Sequence, residues 1–366
     1  MTSVCGSGLL RLLAGHEGSN PQDASCIEQT GPQSFIVRPQ SEDGDSNYKF
    51  AFDVIVENVT TDPQQLDLTI DWAEPPEVGT TYMGCRRTVF LGGGESWQEI
   101  RGTTRDDKTL VSLCVPPGRH HVCLHPPYGS AELESFLSRA ERELGGRRIV
   151  FGRSAENRPL QAVLLSALAE QRSTLLVLGR GHPYESAGSF CVEGVLDLLR
   201  GPDGPRLRQH RSLLLVPIMN PDGVAHGLCK RTTLGTDITH EGRNGTDPTA
   251  RAIVGLVCGV AAAPRPALWD VHGWMNPEDG MNFATKDVAA RIIEGADRNL
   301  FPQGWRNTCP TGAAVEEHTP NFRRYAAAVL GMDVLVTSHP FFGRTVQTMR
   351  RVGAEVCRAF LAALES

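Results

Sequence analysis

The chain has 366 residues, of which 40% are hydrophobic and 21% charged, with a net charge of −6. That length exceeds one comfortable hydrophobic core and predicts two domains. The acidic balance, without any dense Lys/Arg run, excludes an electrostatic case for nucleic acid or anionic membranes and leaves small or peptidic partners.

Leu9-Leu10-Arg11-Leu12-Leu13 is interrupted by its arginine, no cleavage region follows it, and no apolar run approaches the roughly 20 residues of a membrane span. Ten cysteines are scattered without a CxxC pair. Several of them, such as Cys114 and Cys191, lie in apolar stretches and read as reduced, buried thiols. The expected compartment is therefore the cytoplasm.

Residues 1–30 mix Gly, Ser, Asn, Pro and Gln and are expected to form a flexible leader. Residues 31–129 change texture to short alternating stretches, among them 34–37, 48–56, 65–72, 87–91, 109–115 and 120–124. Turn signals such as Gly92-Gly93-Gly94 separate them, and the pattern predicts an N-terminal β-sandwich. Residues 130–146 carry apolar side chains at 133, 136, 137 and 140, with Ser130 as N-cap and Gly145-Gly146 as stop, and predict a connecting helix.

From 147 to 366 strand and helix patterns alternate. Strands are expected at 149–151, 161–165, 174–178, 212–217 and 267–271, and helices at 187–200, 249–260, 289–299 and 345–364. The fold class is thus α/β: a mixed sheet with helices on its faces, preceded by a smaller all-β domain.

Three segments carry the chemistry. His182-x-x-Glu185 follows the apolar strand 174–178 through a Gly-rich turn; Asp270-Val271-His272-Gly273 ends the strand 267–271; Val315-Glu316-Glu317-His318 is the third. Ligands sit characteristically beyond the carboxyl ends of the strands of an open α/β sheet. Two histidines and a glutamate leave one open position on a tetrahedral zinc, where a coordinated water has its pKa lowered toward about 7. A carboxylate that is not a ligand can move the proton of that water to a leaving amine, a combination suited to amide cleavage.

Taken with Val216-Pro217-Ile218-Met219-Asn220-Pro221-Asp222-Gly223-Val224 and Gly235-Thr236-Asp237, these motifs resemble the zinc metallocarboxypeptidase family in order and interval over about residues 147–360. The cytosolic carboxypeptidase branch, which also places a β-sandwich before the catalytic domain, is the nearest in pattern. Leu124-His125-Pro126-Pro127-Tyr128-Gly129-Ser130 resembles its interdomain junction. The resemblance implies a zinc-dependent peptide or amide hydrolase binding one zinc ion through His182, Glu185 and His272. It further implies Asp237 as the carboxylate that orients His182 and a glutamate of the third segment as general acid/base. Strand alternation favours Glu316 over Glu317 for that role.

Two departures from the family pattern bear on substrate. The residues after Asp237 read Ile238-Thr239-His240, so the Asn-Arg pair that clamps a terminal carboxylate is missing; His240 and Arg243 are the candidate replacements. The position of the arginine that polarises the scissile carbonyl holds Lys230, with Arg231 beside it, and either cation suits an oxyanion. The competing readings are an amidohydrolase or deacylase acting on a substrate without a free α-carboxylate, and a degenerate, non-catalytic binding protein.

Overall fold

The computed structural model describes residues 2–6, 8–42, 50–72, 86–273, 275–285, 288–308 and 321–365. The chain divides into two compact units, Met1–Gly129 with Gly223–Lys230, and Ser130–Asp222 with Arg231–Ser366.

The first unit is built mainly of β-strands among the described residues. Its strands are β1 (Ser3–Cys5), β2 (Leu10–Ala14), β3 (Ile27–Gly31), β4 (Ser34–Val37), β5 (Asp53–Asn58), β6 (Gln64–Asp71), β7 (Thr88–Gly93), β8 (Ser96–Arg101), β9 (Thr103–Arg105), β10 (Lys108–Val115) and β11 (Gly118–Cys123). They form two sheets, β1-β2-β5-β11-β7-β8 and β3-β4-β6-β10-β9. Period-two alternation sends Val54, Val56, Val89, Leu91 and Val122 of the first and Leu66, Leu68, Ile70, Leu113 and Val115 of the second into one apolar cluster. Burying such a side chain fully contributes about 1.5–3 kcal/mol.

Two expectations fail here. The loose leader instead contains β1 and β2, and β2 pairs antiparallel with β5 while burying Leu10 and Leu12; the Gly- and Ser-rich flanks of this short apolar stretch hid a strand. Cys114, expected in the core, is exposed, because alternation along β10 buries its neighbours Leu113 and Val115. The eight described cysteines are free thiols.

The second unit runs α1 (Ser130–Leu144), β12 (Arg147–Arg153), β13 (Pro159–Leu165), β14 (Ser173–Gly179), α2 (Ser186–Arg200), α3 (Gly204–Arg208), β15 (Arg211–Val216), α4 (Pro221–Ala225, whose last three residues belong to the first unit), α5 (Pro248–Ala261), β16 (Pro266–Gly273), β17 (Asp279–Ala284), α6 (Val288–Gly295), β18 (Trp305–Asn307), α7 (Phe322–Ala328), β19 (Asp333–His339) and α8 (Val346–Glu365). Its eight strands form one mixed sheet in the order β12-β13-β15-β14-β16-β19-β17-β18. The central strands β15, β14, β16 and β19 are parallel, and their near-continuous apolar sequences suit burial on both faces.

Leu176 and Leu178 of β14 pack with Ile253 and Val257 of α5 and Phe322 of α7. The opposite face meets α2, which crosses α8 so closely that a Cβ on Gly194 would lie 1.8 Å from the Arg350 carbonyl oxygen. Only glycine permits that approach. Asp247 caps α5 through the N–H groups of Thr249 and Ala250.

The chain leaves β14 toward β15 on one side and returns to β16 on the other. The crevice beyond the carboxyl ends of β14 and β16 is therefore the switch point of the sheet, where ligands of open α/β folds sit.

Candidate metal centre

The turn after β14 is built under local strain. Arg180 adopts φ 60°, a left-handed conformation that costs a residue with a Cβ about 1–2 kcal/mol. Its Nε donates to the Pro183 carbonyl at 2.7 Å and closes the turn. The next residue, Gly181, has no room for a Cβ, which would meet Thr239 Cγ2 at 2.7 Å. This geometry delivers His182, while Glu185 stands just ahead of α2 and makes no capping hydrogen bond there. Its carboxylate is spent elsewhere.

His182 Nδ1 lies 2.9 Å from Glu185 Oε1, and His272 Nδ1, at the end of β16, lies 2.6 Å from Glu185 Oε2. The Gly273 N–H donates to the same Oε2 at 3.2 Å, and a Cβ on Gly273 would strike the Glu185 side chain at 2.7 Å. Glu185 and His272 are buried, and His182 is partly so.

Each imidazole is held from behind through its other nitrogen. His182 Nε2 lies 3.0 Å from the Thr239 hydroxyl, which donates to Asp237 Oδ1 at 2.7 Å. Asp237 itself is 3.5 Å from that Nε2, so Thr239 relays its influence. His272 Nε2 lies 3.2 Å from Asp270 Oδ2, to which Arg323 Nη1 also donates at 3.3 Å. A second Arg323 nitrogen donates to the Thr239 carbonyl at 3.2 Å. These partners fix the orientation of each ring and aim both Nδ1 atoms at the Glu185 carboxylate.

Such a set calls for positive charge between its donors. Burial works against a charged His272, but Asp270 and Glu185 outweigh it and push its pKa up to about 10. Burial likewise opposes charge on His182, and Glu185 and Asp237 overcome it, raising its pKa. Burial raises the Glu185 carboxyl, yet the two histidines hold it far below the usual range. Two imidazole nitrogens and a carboxylate oxygen are the donor set of a catalytic zinc site. The residues present therefore fit one zinc ion.

The other expected residues fall as follows. Glu316 and Glu317, with Trp274 and His318, lie outside the described residues. Arg231 donates to the Gly235 carbonyl at 2.8 Å and lies 3.9 Å from Glu241. Lys230 belongs to the first unit, where its N–H donates to Glu42 at 2.5 Å. The His240 ring lies parallel to His182 with centroids 6.4 Å apart, and the Arg243 guanidinium covers the Tyr325 ring at 3.7 Å. Asp270, Thr239 and Arg323 are partners of the site that had no expected role. Asp270 stood inside a recognised motif, whereas Arg323, 51 positions from His272, left no signal in the sequence.

Sheet and site together define a metallopeptidase of carboxypeptidase architecture. The family model described as zinc carboxypeptidase matches residues 143–327, half of the chain, and the chain belongs to that family. Cytosolic carboxypeptidase 6 of Mus musculus is 26% identical over 169 residues, covering 42% of this chain and 30% of that protein. Cytosolic carboxypeptidase 1 of Homo sapiens is 27% identical over 218 residues, covering 51% of this chain and 17% of that protein. The chain thus spans less than half the length of these relatives. Among solved structures, a metallo-carboxypeptidase from Burkholderia cenocepacia superposes with a TM-score of 0.79 at 17% identity, covering 97% of this chain and 99% of the other. A Pseudomonas aeruginosa metallo-carboxypeptidase gives 0.77 at 17% identity, covering 97% and 99%. At that identity the likenesses establish the fold. Among the described residues no helix is long and apolar enough to cross a membrane.

Proposed function

We propose that the chain is a zinc-dependent hydrolase of peptide or amide bonds, with one zinc ion held by His182, Glu185 and His272. The observation that carries this reading is the convergence of both Nδ1 atoms on the Glu185 carboxylate, each ring backed by a carboxylate on its far side. Zinc, when bound, supplies Lewis-acid polarisation of the scissile carbonyl and a lowered pKa for water. Asp237, through Thr239, and Asp270 keep the rings oriented.

Glu316 is the proposed proton acceptor, passing the proton to the leaving amine. It lies seven positions before Arg323, whose guanidinium is 3.2 Å from His272 Nε2. Lys230 or Arg231 is the proposed oxyanion cation. The first unit is proposed to be the β-sandwich of the cytosolic carboxypeptidase branch, and the cytoplasm the working compartment, in keeping with eight free thiols.

Turnover of short peptides by the zinc-loaded chain, with Glu316→Gln as the comparison, tests the mechanism. A drop of about 10²–10⁴-fold is expected for loss of a general acid/base, and unchanged turnover by Glu316→Gln would remove that residue from it.

One observation favours the amidohydrolase reading of the substrate. Thr239, at the first place of the missing clamp, is committed to His182 and Asp237. On that reading His240 and Arg243 meet a substrate without a free α-carboxylate. Comparing a peptide acid with its amide decides: strong preference for the acid supports a carboxypeptidase, and indifference supports the amidohydrolase.

A further inference from the structure

We propose that the first unit carries a second zinc site, formed by His16, Asp53 and His121. His16 sits in the turn after β2, fixed by a hydrogen bond from the Gly15 N–H to Ser19 Oγ at 3.1 Å and another from the Ser19 N–H to the His16 carbonyl at 3.0 Å. Asp53 opens β5 and pairs with Cys123 of β11, two positions from His121. Val54 and Val122 point into the apolar core, so strand alternation sends Asp53 and His121 together to the other face. Diagonal neighbours across a strand pair are within reach of side chains this long.

The ligand geometry is already close to that of a metal site. His16 Nε2 lies 3.1 Å from Asp53 Oδ2, and His121 Nδ1 lies 2.8 Å from Oδ1 and 3.1 Å from Oδ2. One nitrogen from each histidine and one carboxylate oxygen all lie within 4.8 Å of one another. Bonds of 2.0–2.1 Å in a tetrahedral zinc site separate ligand atoms by about 3.3 Å, so each nitrogen–oxygen pair needs a shift of a few tenths of an ångström, and the two imidazole nitrogens, within 4.8 Å of one another, close by up to about 1.5 Å. Two imidazoles and a carboxylate suit zinc among the available cations.

The site differs from the hydrolytic one in what stands behind its rings. His16 Nδ1 is buried and has no hydrogen-bond partner among the described residues, whereas the outer nitrogens of His182 and His272 each face an oxygen acceptor. Loss of such support weakens metal binding by about 10–100-fold. The second site is accordingly a weaker, exchangeable one that clips the β2 turn to β5 and β11.

The test uses the full chain carrying His182→Ala and His272→Ala, stripped with a chelator and titrated with Zn²⁺ by calorimetry. One zinc per chain is expected. Adding His121→Gln, or separately His16→Gln in the turn, is expected to weaken uptake at least about 100-fold. His120→Gln, on the adjacent position of the same strand, should leave uptake unchanged. A Co²⁺ titration provides a second readout, in which the visible bands of a four-coordinate ion disappear with His16→Gln. No saturable uptake, or equal uptake with and without His121 and His16, overturns the proposal. Because both hydrolytic histidines are absent throughout, neither result bears on the function proposed above.

Discussion

Among the described residues two clusters that share no residue, His182, Glu185 and His272 and His16, Asp53 and His121, offer the same donors, two imidazoles and one carboxylate, and they are built differently. His182, Glu185 and His272 stand at the carboxyl ends of parallel strands, and every ring has a partner on its outer nitrogen. His16, Asp53 and His121 stand on an antiparallel sheet, and one ring has a buried nitrogen with no partner among the described residues. The difference teaches that donor identity defines which ion can bind, while the layer behind the donors sets how firmly it is held and whether the rings stay aimed.

The comparison breaks most sharply if the first cluster can lose a ligand and keep working. Glu185→Gln is expected to lower turnover by at least about 10³-fold, since the metal supplies several kcal/mol of the barrier reduction, and steady-state kinetics with a short peptide checks it. Gly273→Ala pushes a methyl group against Glu185, and zinc affinity in competition with a chromogenic chelator should fall by about 10–100-fold. Asp270→Asn removes the carboxylate behind His272 and is expected within the same about 10–100-fold range. Thr239→Val deletes the relay to Asp237 at nearly constant volume, with a loss near the low end, about 10-fold. The smallest effect on zinc is expected for Gly194→Ala. Its methyl group meets the Arg350 carbonyl far from the donors, so chemical denaturation should show about 1–3 kcal/mol of lost stability while zinc affinity holds.

Much of the candidate metal centre was legible in the sequence because its proposed ligands lie within a few residues of strand ends. His182, Glu185 and His272 follow apolar runs whose termini are marked by glycine, and the sheet brings those termini together. Thr239 was read only as a departure from a substrate clamp, although the structure places its hydroxyl on His182. Arg323 was invisible because the adjacency of α7 and β16, not any spacing, brings it to Asp270. β19 escaped as well, although Val334-Leu335-Val336 between Gly331 and Pro340 gives the same short apolar signal as the other central strands. In the first unit β2 was lost to its Gly- and Ser-rich surroundings, and with it the position of His16.

The most direct test is the zinc content of the purified chain in a His121→Gln background, which removes a ligand of the His16 cluster, with and without His182→Ala. One zinc per chain, falling to a small fraction of that with His182→Ala, is the expected result. Equal zinc in the two proteins would contradict the assignment of His182, Glu185 and His272 as the metal centre.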